Sequence, residues 1–219
     1  MRNLIIATVT LIIVASCSSS SSFDWKRQGE YKFFPTGIWG EDSEDDSYER
    51  WFGNQLASMN EKPLWVQNDF APEDQTIRLT FLPSFGRGKM LSISSEKSET
   101  PHYRLKVLSG RGGYGPGNLA YEKDGVVEPQ AFAKIEALLA KIDPFSGDLP
   151  PIVQNPKFAC FDGTQTVLEF VNSENYVAIT RHECDMPKND PIRKLINTFN
   201  DVSEGHLIAE GTFLALFDN

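Results

Sequence analysis

The sequence predicts an α+β fold with a mainly antiparallel sheet and two or three amphipathic helices. Runs of alternating apolar and polar residues, separated by short turn sequences, are typical of antiparallel strands. Two further runs space their apolar residues as one face of a helix does. Strands come in groups that are followed by a helix, whereas strict strand–helix alternation would indicate a parallel sheet. Because 40% of the 219 residues are hydrophobic, we expect residues 23–219 to form a single domain with a proper core, and two lobes are the alternative.

The N-terminal third is rich in aromatic and acidic residues. It holds all four tryptophans, Trp25, Trp39, Trp51 and Trp65. We expect them to anchor this segment on the core, with a ligand-stacking surface as the alternative. The acidic run 41–49, EDSEDDSYE, lacks the Gly and terminal Glu of a calcium loop. It predicts instead the start of a helix that runs to about Met59, because carboxylates stabilise a helix N-terminus. The predicted helix buries Tyr48, Trp51, Phe52, Leu56 and Met59 on one side.

The middle of the chain predicts three strands, and the first two form a hairpin around Gly86-Arg87-Gly88. The three runs are TIRLTFLPSF (76–85), KMLSISSEK (89–97) and HYRLKVLS (102–109). In the third run, alternation directs Leu105 and Val107 into the core. The same alternation directs Arg104 and Lys106 into solvent.

The glycine-rich run GRGGYG (110–115) matches the spacing of a dinucleotide-binding loop. Such a loop opens directly into a helix, whose free amide groups hold the pyrophosphate. Here Pro116, Gly117 and Asn118 follow, and LAYE (119–122) then predicts another strand. The run therefore predicts a hairpin connection, with no nucleotide or other cofactor. As a surface loop it is also a candidate recognition loop, formed by Arg111, Gly112, Gly113 and Tyr114.

The second half of the chain predicts two helices and a β-meander. EPQAFAKIEALLAKID (128–143) has a proline in its first turn and apolar residues at helical spacing. The meander runs are FACFD (158–162), TVLEFV (166–171) and YVAITR (176–181). Asp190 predicts the N-cap, and Pro191 the first residue, of a second amphipathic helix. The final run 206–219 predicts a pair of strands. The predicted core residues of the two helices are Phe132, Ile135, Leu139, Ile142, Ile192, Leu195, Ile196 and Phe199.

The N-terminus has the features of an export signal. One basic residue, Arg2, precedes an apolar run that is shorter than the ~20 residues of a spanning helix. The run ends in Val14-Ala15-Ser16-Cys17, which resembles the lipobox of bacterial lipoproteins. That resemblance implies that residues 1–16 are a signal peptide, removed when Cys17 is acylated. An uncleaved anchor or an ordinary secretory signal is the alternative.

The residues after the lipobox indicate a location in a bacterial cell envelope. Ser18 in place of an aspartate favours the outer membrane, with the protein facing the periplasm. Residues 17–22 form a lipidated, serine-rich tether that cannot bury enough apolar surface to fold. We therefore expect labelled palmitate to be incorporated at Cys17.

Export to an oxidising compartment predicts a disulfide between Cys160 and Cys184. It would close a loop of roughly 25 residues and stabilise the fold by about 3 kcal/mol. The alternative is a metal site, because His182-Glu183-Cys184 offers two ligands close together and Cys160 could add a third. No C-x-x-C or H-x-x-x-H spacing supports a closed tetrahedral site, and no metal is predicted.

The charge of the chain disfavours two classes of partner. Removal of residues 1–16, which hold one positive charge, changes the formal net charge from −9 to −10. An acidic surface disfavours nucleic acid, whose phosphates require basic side chains. It also disfavours direct adsorption to anionic lipid head groups. The membrane is therefore expected as a partner through the lipid anchor.

Four runs between about residues 76 and 205 occur in the same order as in a widespread family of uncharacterised bacterial proteins, which are secreted or lipid-anchored. These runs are LSGRGGYGPGNLA, DPFSGDLP, FDGTQTVLEF and YVAITRH. The chain resembles that family, and the resemblance implies no activity and transfers no functional residue. Thr166 stands where the family usually has tryptophan, and the family does not require Cys160 or Cys184.

The chain offers few candidates for catalysis. The three histidines, His102, His182 and His206, lie far apart in sequence, and no Gly-x-Ser-x-Gly motif is present. His182, near a strand end, is expected to be solvated or hydrogen-bonded rather than catalytic. The sequence therefore favours a binding or assembly-interaction module with an envelope protein or glycan as its partner. The alternatives are an envelope hydrolase of unknown substrate and a structural accessory protein.

Overall fold

A computed structural model describes residues 32–39, 49–66, 74–96, 99–113, 115–147, 149 and 162–208. Five predicted features lie wholly or largely outside those residues: the signal at 1–16, the tether at 17–22, the acidic run up to residue 48, the strand at 158–162 and the tail beyond residue 208. Within the described part of the chain, no helix has the length and apolar character needed to cross a membrane.

The described residues contain one six-stranded sheet. Its strands are β1 (Gln75–Pro83), β2 (Lys89–Ser95), β3 (His102–Leu108), β4 (Leu119–Val126), β5 (Thr164–Asn172) and β6 (Tyr176–His182). Their order in the sheet is β4-β3-β2-β1-β5-β6, and all neighbours are antiparallel. The predicted α+β class with a mainly antiparallel sheet is therefore confirmed.

Three helices are described: α1 (Asn54–Ser58), which continues a π-helical turn at Glu49–Gly53, α2 (Pro129–Ile142) and α3 (Pro191–Val202). Helices α2 and α3 pack on each other and share one core with the sheet. The predicted cap of α3 is confirmed, since Asp190 Oδ1 accepts a hydrogen bond of 2.7 Å from the Ile192 N–H. The predicted core residues of α3 are all buried. In α2, Phe132 and Leu139 are only partly buried, and Leu138 is buried in addition.

The other face of the sheet is covered by residues 32–39 and 49–66, which we call the N-terminal segment. Phe34, Trp39 and Phe52 pack edge to face there, with ring centroids 5.0 to 6.3 Å apart. Trp39 and Trp51 pack against the same buried cluster, which confirms the predicted anchoring for these two. Trp65 is 38% exposed, and Trp25 lies outside the described residues. Phe52, Leu56 and Met59 are buried as predicted, Trp51 is partly buried, and Tyr48 lies outside the described residues.

The prediction that Lys106 points into solvent is wrong, because this second face of the sheet is also covered. Lys106 is buried, because the N-terminal segment lies over it. Its ammonium group donates to the Glu61 carboxylate at 2.7 Å and to the Met59 carbonyl at 2.9 Å. Arg104, on the same face of β3, is exposed as predicted. Alternation along a strand separates two faces but does not show whether the polar face meets water or a second layer.

Lys106 belongs to a charge network, formed by Glu61, Arg78, Lys106, Glu169 and Tyr176, between the sheet and the N-terminal segment. Arg78 and Glu169 are fully buried and form two parallel hydrogen bonds of 2.6 and 2.7 Å. Arg78 also contacts Glu61 at 3.2 Å, so that Glu61 bridges the two buried cations. Burial and the charge of Glu169 raise the pKa of Tyr176, whose hydroxyl donates to Glu169 at 2.9 Å. The charge network ties the N-terminal segment to the centre of the sheet.

Candidate interaction surface

Antiparallel pairing brings four short segments to one end of the sheet, which we call the loop end. Two are the β1–β2 connection (84–88) and the β3–β4 connection (109–118). The other two are the residues before β5 (162–163) and a 3-10 turn after β6 (Glu183–Asp185). Arg111, Gly112 and Gly113, which are predicted to belong to a recognition loop, lie at this end.

The glycine-rich loop continues the β3–β4 hairpin. Ser109 N–H donates to the Asn118 carbonyl at 2.8 Å, and Gly110 N–H donates to the Pro116 carbonyl at 3.0 Å. Residues 115–120 contain no helix. The predicted hairpin connection is therefore confirmed, and the helix N-terminus that a dinucleotide fingerprint requires is missing from this position.

Gly112 and Gly113 have the positive φ angles expected of such a connection, +98° and +60°. Gly112 also lies against the β1–β2 connection, where an added Cβ would be 2.5 Å from the Ser84 carbonyl oxygen. Beside it, the Gly86 N–H donates to the Arg111 carbonyl at 2.9 Å. Glycine at 112 therefore permits the two connections of the loop end to touch.

The N-terminal segment holds the same loop from its other side. Trp51 Nε1 and Gln55 Nε2 each donate to the Gly113 carbonyl at 3.0 Å. Among the predicted recognition residues that the structure describes, Arg111 has an exposed side chain. Tyr114 lies outside the described residues. Contacts within the chain therefore hold the described part of the loop in place, with Arg111 available for contact.

Two exposed residues that the sequence interpretation missed lie beside Arg111. Phe85 is 79% exposed, and Arg87 is exposed as well. Neither Arg87 nor Arg111 forms an ion pair with any described residue. Burial lowers the pKa of Lys89, and the positive charge of Arg87 lowers it further. We call Phe85, Arg87 and Arg111 the loop surface.

His182 has a local structural role at the loop end. Its Nδ1 accepts a hydrogen bond of 3.3 Å from the Cys184 N–H and so caps the 3-10 turn, as expected of a hydrogen-bonded histidine. Burial lowers the pKa of His182 and raises that of Glu183. Gly163 packs against both, since an added Cβ would be 2.8 Å from the His182 ring. His102 lies at the opposite end of the sheet.

The predicted lipidation and disulfide sites lie largely outside the described residues. Cys184 is in a disulfide. Cys17 and Cys160 are not among the described residues, so the Cys160–Cys184 pairing stays a prediction. In the part of the chain that the structure describes, no group of three His, Cys, Asp or Glu side chains is placed to hold a metal ion.

A cleft of about 210 Å³ opens at the other end of the sheet. Its apolar lining consists of Ile77, Leu139, Pro144, Phe145, Phe170 and Val171. The volume is below the roughly 300–1,000 Å³ of typical small-molecule sites. None of the predicted site residues that the structure describes lines this cleft.

No protein-family model matches the chain, and no curated protein matches it in sequence. The resemblance to a family of secreted bacterial proteins therefore stays a prediction. The function has to be inferred from the chemistry of the loop surface.

Proposed function

We propose that the protein is a lipid-anchored component of a bacterial cell envelope that binds a partner through the loop surface. The lipid on Cys17 attaches it to the outer membrane, and the domain faces the periplasm. The observation that carries the binding function is an exposed Phe85 beside two arginines without ion-pair partners among the described residues. The charge of these two arginines is opposite in sign to the formal net charge of the chain, −9.

The composition of the loop surface suits recognition. Arginine and aromatic residues are enriched among the residues that dominate binding energy at interfaces. The planar guanidinium group also forms two parallel hydrogen bonds with a carboxylate or a phosphate. Because the loop is held by Trp51, Gln55 and the β1–β2 connection, little conformational entropy is lost on binding. The partner is an envelope protein or glycan that presents an anionic group beside an apolar contact.

Site-specific photo-crosslinking tests the loop surface in the anchored protein. Benzoylphenylalanine in place of Phe85 should give a discrete adduct in intact cells. The charge reversals Arg87→Glu and Arg111→Glu should abolish that adduct. Phe145, a partly exposed phenylalanine at the other end of the sheet, is the matched control position and should not give it. An adduct that survives both reversals, or that forms equally from position 145, would contradict the proposal.

Metabolic labelling tests the anchor separately. Cys17→Ser should abolish incorporation of labelled palmitate and release the protein from the membrane fraction. Cys184→Ser, which removes a cysteine outside the lipobox, should retain the label. Unchanged labelling of the Cys17→Ser protein would refute the anchor while leaving the loop surface untouched.

A further inference from the structure

We infer that the outer edge of β4 is a second binding site, which accepts an extended segment of a partner protein as a further strand of the sheet. The expected segment carries basic residues at alternate positions. This inference rests on β4 and not on the loop surface, so either site can fail without the other.

Strand β4 is more exposed to solvent than β6, the strand at the opposite edge of the sheet. It ends the sheet, and among the described residues it pairs only with β3. None of its eight residues is buried, whereas β6 at the opposite edge has three buried residues. Tyr121 is 45% exposed and Val126 is 53% exposed. A long exposed edge strand with apolar side chains is a template for pairing with another chain.

The pairing pattern shows which backbone groups are available. Val127 N–H donates to the Pro101 carbonyl at 2.8 Å, on the β3 side. Residues 121–126 pair with β3 in a continuous register. In an antiparallel pair, alternate residues direct both backbone polar groups to the same neighbour. The N–H and C=O groups of Glu122 and Asp124 therefore point away from β3, toward the free edge.

Two contacts hold β4 in place on the domain. An added Cβ on Gly125 would be 2.5 Å from the Tyr103 ring, so that the tyrosine lies directly against the glycine backbone. Lys123 Nζ donates to the Glu204 carboxylate at 2.8 Å, beyond the end of α3. A preordered strand loses less conformational entropy when a partner strand is added.

Charge specifies the partner. Glu122 and Asp124 lie on one face of β4 and are 41% and 59% exposed. Arg104 contacts both, at 3.5 and 2.7 Å. Lys106 also approaches Glu122, at 3.5 Å, but it lies closer to Glu61, at 2.7 Å, which matches its charge. The face therefore keeps a negative charge without a full counter-charge. Basic residues at alternate positions of an added strand would lie opposite these carboxylates, and opposite charges across strands are stabilising.

The same charges disfavour two other occupants. In a symmetric pairing with a second copy, residues on the same face oppose one another, so that Glu122 and Asp124 meet the same carboxylates of the other copy. The chain's own tail, residues 209–219, contains no lysine or arginine. A partner strand of different sequence fits this edge better than either.

A peptide of alternating valine and lysine, equal in length to the eight residues of β4, is the probe. Its binding to the purified full chain is measured by fluorescence anisotropy. Glu122→Gln removes a charge and should weaken binding about 2- to 5-fold. Glu122→Pro also removes the edge-facing N–H and should weaken binding about 10-fold further. A peptide with the same residues in two blocks, and one with N-methylated amides facing β4, should bind at least about 10-fold more weakly.

Amide hydrogen exchange followed by NMR gives a test that needs no variant. The amides of Glu122 and Asp124 should exchange rapidly in the free protein and become protected when the alternating peptide binds. Protection of these amides in the free protein would show that the chain itself covers the edge, and would overturn the inference. Equal affinity for the alternating and block peptides, or for the two Glu122 variants, would overturn it as well.

Discussion

Replacing Glu61 by glutamine tests whether buried charge holds the N-terminal segment on the sheet. The Glu61 carboxylate contacts Lys106 Nζ at 2.7 Å and Arg78 Nη1 at 3.2 Å. The side chains of both cations are at most 5% exposed, and that of Glu61 is 14% exposed. Glutamine keeps the size of the side chain and one acceptor oxygen but removes the negative charge. The two cations then lose a counter-charge that water has little access to replace.

The expected loss follows from the contacts that remain. A hydrogen bond to a charged group contributes about 1.5–3 kcal/mol, and removal of one partner of a buried ion pair costs about 3–5 kcal/mol. Arg78 keeps Glu169, and Lys106 keeps the Met59 carbonyl. We therefore expect Glu61→Gln to lower the free energy of unfolding by about 2–4 kcal/mol. In a domain of this size, that loss lowers the melting temperature by roughly 4–16 °C.

Urea unfolding at pH 7, followed by tryptophan fluorescence, measures the loss, because Trp39 and Trp51 lie in the N-terminal segment. Glu122→Gln is the matched control, since Glu122 also approaches Lys106, at 3.5 Å, but is 41% exposed. Its expected cost is below about 1 kcal/mol. A Glu61→Gln protein within about 0.5 kcal/mol of the original stability would refute the role of the charge network.

Three further predictions concern backbone conformation, capping and pH. Gly112→Ala should cost about 1 kcal/mol or more, because φ is +98° and the new Cβ would clash with Ser84. Gly113→Ala, which meets open space, should cost less in thermal denaturation. Asp190→Ala should cost about 0.5–2 kcal/mol through loss of the cap, whereas Asp190→Asn should keep most of it. Burial raises the pKa of Glu183 above 4.5 in the folded protein, so ionisation of this carboxyl opposes folding. The protonated carboxyl therefore contributes stability in full below pH 4.5. That contribution is lost as the pH rises through the pKa of the folded state. Glu183→Gln should therefore gain stability relative to the original protein between pH 4.5 and 7 in urea unfolding, and a pH-independent difference would argue against this reasoning.

Local chemistry made much of the sheet and both long helices predictable. Three features depend only on residues close in sequence, and the sequence therefore predicts them. They are the alternation in β1 and β2, the proline at the start of α2 and the Asp190 cap of α3. The glycine-rich run was predicted as a hairpin connection for the same reason, because Pro116 and Gly117 follow it. Arg111 was identified with that loop, but Phe85 and Arg87 were not, since exposure beside another loop depends on how the strands pair.

The sequence by itself determined the spacing of apolar residues in the strands and helices, the turns between them and the helix caps. All of these features depend on near neighbours in the chain. Only the tertiary structure decided what lies against each face and edge. Arg78 and Lys106 have the spacing of solvent-facing residues, yet both are buried beneath the N-terminal segment. The sequence pattern of β4 does not distinguish it from the other strands, yet β4 lies at the edge of the sheet formed by the described residues. Alternation assigns a side chain to one of two faces, whereas contacts between residues distant in sequence decide whether that face meets water, a second layer or a partner.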